Sequence, residues 1–209
     1  MNQADSQSSQ ELLNFVSQLA GDQYLKVEEQ LGDGFFRLNV AEAERRQAKH
    51  DIRWVEDILI ELLRNSRDAQ STKIFISSHK VEDRNREIVV IDNGIGIPAD
   101  LHQKVFEPRV TSKLDDIVED KYGVHGRGMA LFSIYSAAKV AYIVSSEKGK
   151  GAVFKVKVDT AELPERKDQS TYPTLGFRQG KPVLLRGPHN AIWFLCEFNY
   201  GHPQIDLYY

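Results

Sequence analysis

Three polar side chains, Glu61, Asn65 and Asp68, recur at i, i+4 and i+7 within the run Glu61-Leu-Leu-Arg-Asn65-Ser-Arg-Asp68-Ala69. On an α-helix this spacing lines them along one narrow stripe, with Ile52, Val55, Leu59, Leu62 and Leu63 on roughly the opposite side. Two carboxylates and a carboxamide so arranged have the chemistry of a site that handles a metal ion or a proton. A solvated helix face accounts for Glu61 and Asp68 equally well, so the stripe by itself leaves both readings open.

A further carboxylate, Asp92, ends an apolar run and stands immediately before Asn93-Gly94-Ile95-Gly96-Ile97. At a strand end a carboxylate can face a pocket while glycines let a flat ligand approach the backbone. Such a carboxylate can accept a hydrogen bond from an exocyclic amine such as that of adenine, a buried contact that discriminates between bases. The bland alternative is a tight turn that needs Asn-Gly. Further on, Gly123-Val-His125-Gly126-Arg127-Gly128-Met129 runs into an apolar segment. Glycines leading into a helix N-terminus present free amides and the positive end of the helix dipole to an anion, and phosphates suit that arrangement. The order Gly-x-x-Gly-x-Gly is neither a Walker loop, which needs Gly-Lys-Ser/Thr, nor the Gly-x-Gly-x-x-Gly of dinucleotide binders, and no strand is expected just before it.

The elements that must position these groups follow from periodicity. A helix over about residues 52 to 69 carries the polar stripe. Lys73 to His79 and Arg86 to Asp92 read as strands, and the continuous run Ile88 to Ile91 predicts a central strand covered on both faces. Pro98-Ala99-Asp100 opens a short helix, and Phe106-Glu107-Pro108 precedes a polar segment, Arg109 to Lys121, that reads as mobile. Met129 to Ala138 is an apolar helix, and Val140 to Ser146 with Ala152 to Val158 form a hairpin around Glu147-Lys148-Gly149-Lys150-Gly151. The body is sheet plus helices in α+β order. Ahead of it, Leu12, Phe15, Val16 and Leu19 mark a one-sided helix that docks on its own domain or on a second subunit, and Phe35 to Val40 reads as a short strand. Behind it, five prolines punctuate a tail whose runs Val183 to Leu185 and Ala191 to Phe198 are too apolar for a linker.

Helix with Glu-x-x-x-Asn-x-x-Asp, strand ending Asp-x-Gly-x-Gly, mobile segment, Gly-x-x-Gly-x-Gly, helix and glycine hairpin occur here in one order. That order resembles the Bergerat nucleotide-binding fold of the family joining gyrase B, MutL mismatch-repair proteins, the ninety-kilodalton heat-shock chaperone and histidine kinases. The resemblance covers about Trp54 to Val158 and implies a two-layer α/β sandwich, a mixed and mostly antiparallel sheet covered by helices on one face. It implies Mg²⁺ and ATP as ligands: Asn65 to hold Mg²⁺ against the phosphates, Asp92 to read adenine, and Gly94, Gly96 and Ile97 to floor the base pocket. Gly123, His125, Gly126, Arg127, Gly128 and Met129 would form the phosphate loop, with Arg109 to Lys121 as a lid. Glu61 matches the water-activating base of the family, and Lys113 of Thr111-Ser112-Lys113 either neutralises phosphate charge or is a solvated lid lysine. Where many relatives have Gly-Thr-x-Phe in the last hairpin, this chain has Gly151-Ala152-Val153-Phe154, so a hydroxyl near the base is missing.

These assignments imply residues 1–50 as an N-terminal extension, 51–159 as the ATP-binding core, and 160–209 as a C-terminal extension that packs on the core or on a partner. The resemblance leaves three outcomes open: ATP hydrolysis by a stand-alone histidine-kinase-like ATPase, transfer of the γ-phosphate to a partner protein, and nucleotide sensing without turnover. A protein partner or a homodimer is expected. With 209 residues, 41% of them hydrophobic, the chain carries enough apolar material for one good core. A net charge of -3 without a long Lys/Arg run gives no basic footprint for nucleic acid, and no apolar run is long enough to span a bilayer, which places the expectation in the cytoplasm. The single cysteine, Cys196, reads as a buried and inert thiol among Phe194, Leu195 and Phe198. His79, His102, His125, His189 and His202 have no metal-ligand spacing and read as structural or exposed, with His125 in the glycine loop also open to ligand contact.

Overall fold

The computed structural model describes residues 27–112 and 128–209, and the backbone of two short strands between them. The one-sided helix expected over residues 11–20 lies outside the described residues.

Val27–Gly32 (β1) and Phe35–Leu38 (β2) form a hairpin around Asp33, and a short helix, Glu42–Ala48 (α1), follows. The helix that carries the polar stripe runs Val55–Asp68 (α2). It starts three residues later than its apolar period predicts, because Asp57 reaches back to accept the Trp54 and Arg53 N–H groups at 2.9 and 2.8 Å. It stops where Gln70 turns left-handed at φ 61°, and Gln70 N and Ser71 N donate back to Arg67 O and Ser66 O at 2.9 and 3.1 Å.

Lys73–Val81 (β3) and Asn85–Asp92 (β4) pair antiparallel, and two single turns of 3₁₀ helix, Ala99–Leu101 and Lys104–Phe106, follow. Val110–Thr111 (β5) joins β2, so β1, β2 and β5 make a three-stranded sheet of their own. Val118–Asp120 (β6), in the segment read as mobile, pairs antiparallel with Gly123–His125 (β7) at the start of the glycine loop, so a strand does stand just before that loop. Ala130–Ala137 (α3) leads to Val140–Ser146 (β8) and Ala152–Asp159 (β9), which pair as the expected hairpin.

After β9 the chain adds a two-stranded ribbon, Thr174–Arg178 (β10) and Lys181–Arg186 (β11), a helix, Ala191–Gly201 (α4), and a last strand, Asp206–Tyr208 (β12). The main sheet has the order β12-β3-β4-β9-β8, antiparallel throughout except for β12 beside β3. The fold is α+β: a two-layer sandwich of a mixed, mostly antiparallel sheet with helices on one face. Ile74, Ile76, Ile88, Val90, Phe154 and Val156 of the sheet meet Ile58, Leu59, Leu62 and Leu63 of α2 and Ile134 of α3 in one core. Each such side chain contributes about 1.5–3 kcal/mol on burial.

The other sheet face corrects one expectation. The strand β4 is central, but Ile91 remains 42% exposed, and Phe75 on β3 and Val140, Tyr142 and Val144 on β8 are exposed with it. Alternate residues of β4 point to opposite faces, and the described helices lie on one of them only, so the apolar run fills both a core face and a face that no described helix covers. No helix among the described residues is long and apolar enough to cross a membrane.

The tail is tied to the body at several points. Asp206 N donates to Thr72 O at 2.8 Å, Tyr208 stacks on Phe75 with ring centroids 4.5 Å apart, and Ala191, Leu195 and Ile205 enter the core. Cys196 is half-buried rather than fully buried, and that burial pushes its thiol pKa up. His102 is structural: its Nε2 lies 3.1 Å from both Ile97 O and Ser146 O.

Candidate functional site

A cavity of about 610 Å³ opens between α1, α2, the end of β4 and the start of α3, within the size range of small-ligand sites. The helical stripe faces it. Glu61, Asn65 and Asp68 all line the wall, so the face that the sequence left undecided is turned to a cavity instead of bulk solvent.

Asp92 reaches the same wall from the end of β4 and is only 6% exposed. Its carboxylate is fixed from three directions. Ser71 Oγ and Gly94 N donate to Oδ1 at 3.1 and 2.8 Å, and Ser66 Oγ donates to Oδ2 at 3.2 Å. Ser66 lies in the last turn of α2 and Ser71 just beyond its end, so the helix bearing the stripe and the turn that follows it hold the carboxylate. Sheet register sets Asp92 directly opposite Ala152, and Ala152 and Phe154 line the cavity where a hydroxyl is absent from the sequence.

The two glycines after Asp92 differ in position. Gly96 and Ile97 line the cavity; Gly94 does not, being buried behind it. A Cβ on Gly94 would lie 2.5 Å from Ala69 O and 2.6 Å from Ser71 Oγ, so this glycine lets the loop close on the end of α2. Gly96, at φ 70°, would collide with Glu147 O at 1.9 Å, so it seats the loop against the β8–β9 turn. That seat is secured by Ile97 N donating to Ser146 Oγ at 2.7 Å and by Ser146 Oγ donating to Gly151 O at 2.8 Å.

Gly128 and Met129 line the opposite side with Ala130, Leu131 and Ser133 of the first turn of α3. Gly128 adopts φ 69°, and its carbonyl accepts from Arg109 N at 2.9 Å, which brings the helix N-terminus beside β5. Lys113, Gly126 and Arg127 lie outside the described residues, and Gly123 and His125 are described only as strand backbone.

Several wall residues escaped the sequence reading. Glu44, Gln47 and Asp51 from α1 and the turn after it, together with Arg53, form an additional polar wall. In sequence this stretch is only a charged run. Arg109 braces it through an ion pair with Glu44. Phe35, Val110 and Thr111 bring the small sheet to the rim. Arg64 also lines the cavity, with its side chain 6% exposed and its Nη1 donating to Glu61 Oε1 at 2.5 Å.

The side-chain nitrogen of Asn65 is buried and has no hydrogen-bond partner among the described residues. An orphaned carboxamide end costs about 1–3 kcal/mol unless something supplies its contact. Which end of a carboxamide is oxygen is an assignment from hydrogen bonding, so the free position equally offers an oxygen. That fits a hard cation such as Mg²⁺, which takes oxygen donors and fills its remaining positions with phosphate and water.

A family model described as histidine kinase-, DNA gyrase B-, and HSP90-like ATPase matches residues 50–162. The DNA mismatch repair protein MutL of Halothermothrix orenii is 36% identical over 105 residues, which are 48% of this chain and 16% of that protein. MutL of Staphylococcus saprophyticus is 37% identical over 114 residues, 53% of this chain and again 16% of that protein. The chain thus matches only a small part of the length of these relatives. Among solved structures, the N-terminal domain of a DNA repair protein superposes with a TM-score of 0.42 at 21% identity, covering 59% of this chain and 41% of that one. The catalytic domain of a histidine kinase gives 0.33 at 20% identity, covering 59% and 70%.

Proposed function

Because the chain belongs to the family of histidine kinase-, DNA gyrase B-, and HSP90-like ATPases, we propose that it binds Mg-ATP in the cavity between α2 and α3 and hydrolyses it. The observation that carries this reading is the convergence of Glu61, Asn65, Asp92, Gly96 and Gly128, drawn from three separate stretches of chain, on one cavity. Asp92, held by three donors, presents an acceptor to the adenine amine. Asn65 holds Mg²⁺ against the phosphates, and the glycines that end in Gly128 receive them at the N-terminus of α3. Held there, the ion would supply charge neutralisation to the phosphates. Glu61, one turn before Asn65, polarises the attacking water and takes its proton while the bond between the terminal phosphorus and ADP breaks.

Phosphate release from Mg-ATP by the purified chain tests the proposal. Release by the wild type that is lost in Glu61→Ala is the expected result, and no release by the wild type overturns hydrolysis. A second reading, nucleotide sensing without turnover, draws on the pairing of Glu61 with Arg64, which occupies the carboxylate needed as base. It predicts a raised Tm with Mg-ATP and no product. The segments flanking residues 51–159 then serve as extensions through which the nucleotide state reaches a protein partner or a second copy.

A further inference from the structure

The buried arginine beside Asn65 has no role in the hydrolytic site proposed above beyond occupying Glu61. The Arg64 side chain is 6% exposed and that of Glu61 19%, both line the cavity, and the two meet at 2.5 Å one helical turn apart. A guanidinium is seldom taken out of water without a functional or packing return, since an ion pair in a dry site roughly breaks even against apolar substitutes. Packing does not require it here: α2 already buries Leu59, Leu62 and Leu63 against the sheet, while Arg64 reaches the cavity.

We propose that Arg64 reads the terminal phosphate of a nucleoside triphosphate and so distinguishes it from the diphosphate. The inference rests on the nucleotide reading above. Arg64 directly precedes Asn65, the proposed Mg²⁺ ligand, and contacts Glu61, the proposed base, so the phosphate lying between ion and attacking water is within its reach. The planar guanidinium matches two phosphate oxygens at once, and a terminal phosphate carries more charge than the single carboxylate it displaces. When that phosphate enters, Arg64 turns from Glu61 to the phosphate oxygens, and the Glu61 carboxylate gives up this arginine partner. With the diphosphate the pair stays closed, which couples recognition of the third phosphate to readiness of the base.

Calorimetric titration of the full chain with Mg-ATP and with Mg-ADP tests this without any turnover. For Arg64→Met, ATP affinity falls about tenfold or more while ADP affinity changes less than about twofold, the size of one lost charge-assisted contact. Arg64→Lys keeps the charge but loses the fork, so it loses only part of the discrimination. Glu61→Gln, which loosens the hold on Arg64, tightens ATP more than ADP, and that difference vanishes in the double variant with Arg64→Met. Should Arg64→Met fail to fold, Arg64→Lys alone carries the test, since its loss must be confined to ATP. Equal losses for both nucleotides, or none for either, overturn the role of Arg64 and leave the nucleotide site standing. Failure of the wild type to bind either nucleotide removes the site and this inference together.

Discussion

Gly151 presses so closely on Asp92 that a Cβ there would lie 1.9 Å from the Asp92 carbonyl oxygen, and its φ of 77° is one that L side chains rarely adopt. Thus the turn after β8 sets the height of the carboxylate in the cavity through backbone contact alone. Gly151→Ala is expected to lower stability by about 3 kcal/mol, from left-handed strain plus overpacking. Gly149→Ala, two residues away at φ 78° with nothing within 4 Å of its Cβ, isolates the strain; it should cost about 1 kcal/mol. Urea denaturation compares the two, and equal losses would show that the contact with Asp92 is slack.

Asp92→Asn separates holding from recognition. Asparagine keeps one oxygen for Gly94 N and Ser71 Oγ and turns its amide toward Ser66 Oγ, which can rotate to accept. Stability should therefore fall by only about 1 kcal/mol. An adenine amine, by contrast, then meets a donor, and ATP affinity is expected to drop about a hundredfold with loss of preference over GTP. Calorimetry with both nucleotides is the measurement, and an unchanged ATP affinity would remove Asp92 from the base pocket.

Asn65 should behave in the opposite way to a structural polar residue. Its side-chain nitrogen is buried without a partner among the described residues, so little stability is expected from it in the free protein. Asn65→Ala is expected to leave the Tm without nucleotide unchanged or to raise it, by up to about 1 kcal/mol in stability. The same variant should lose the Mg²⁺-dependent part of ATP binding. A destabilised variant that still binds Mg-ATP would assign Asn65 to the fold.

The reach of the sequence differs between these residues for a physical reason. The stripe of Glu61, Asn65 and Asp68 was legible because helical periodicity fixes which side chains share a face, and Asp92 because a strand end followed by Asn-Gly must stop and turn. Ser66 and Ser71, which hold Asp92, gave no signal: their partner is 26 and 21 residues away, and a serine near a helix end is ordinary. The wall from α1 was hidden for a related reason, since Glu44 and Asp51 look like any charged run until Arg109 and the β2–β5 pairing fold them over the cavity. The last strand, three residues long, is made by its neighbour β3 and not by its own composition. The open outer face of β4 was misread because a continuous apolar run does not reveal how many faces are covered.

Glu56 gives a pH-dependent signature of how the tail is fastened. It is 2% exposed at the first turn of α2, and its carboxylate accepts from Arg166 N at 3.1 and 3.2 Å and from Gln169 Nε2 at 2.6 Å. Burial, opposed by these hydrogen bonds, raises its pKa above the ordinary 4.5. A carboxyl whose folded pKa is raised contributes stability that is fully present below its unfolded value and is lost as pH rises through the folded value. Glu56→Gln removes that loss while keeping one acceptor for Arg166 N. The Tm of the variant minus that of the wild type should therefore grow as pH is raised from about 4.5 toward neutrality. Glu56→Ala leaves both donors without their acceptor and should cost about 2 kcal/mol across the range. A Tm difference for Glu56→Gln that stays flat with pH would mean that the carboxyl titrates alike in the folded and unfolded chain. The tail would then be fastened by β12 on β3 and by Arg166, whose guanidinium lies 4.9 Å from the Trp54 ring centre, without an electrostatic cost at Glu56.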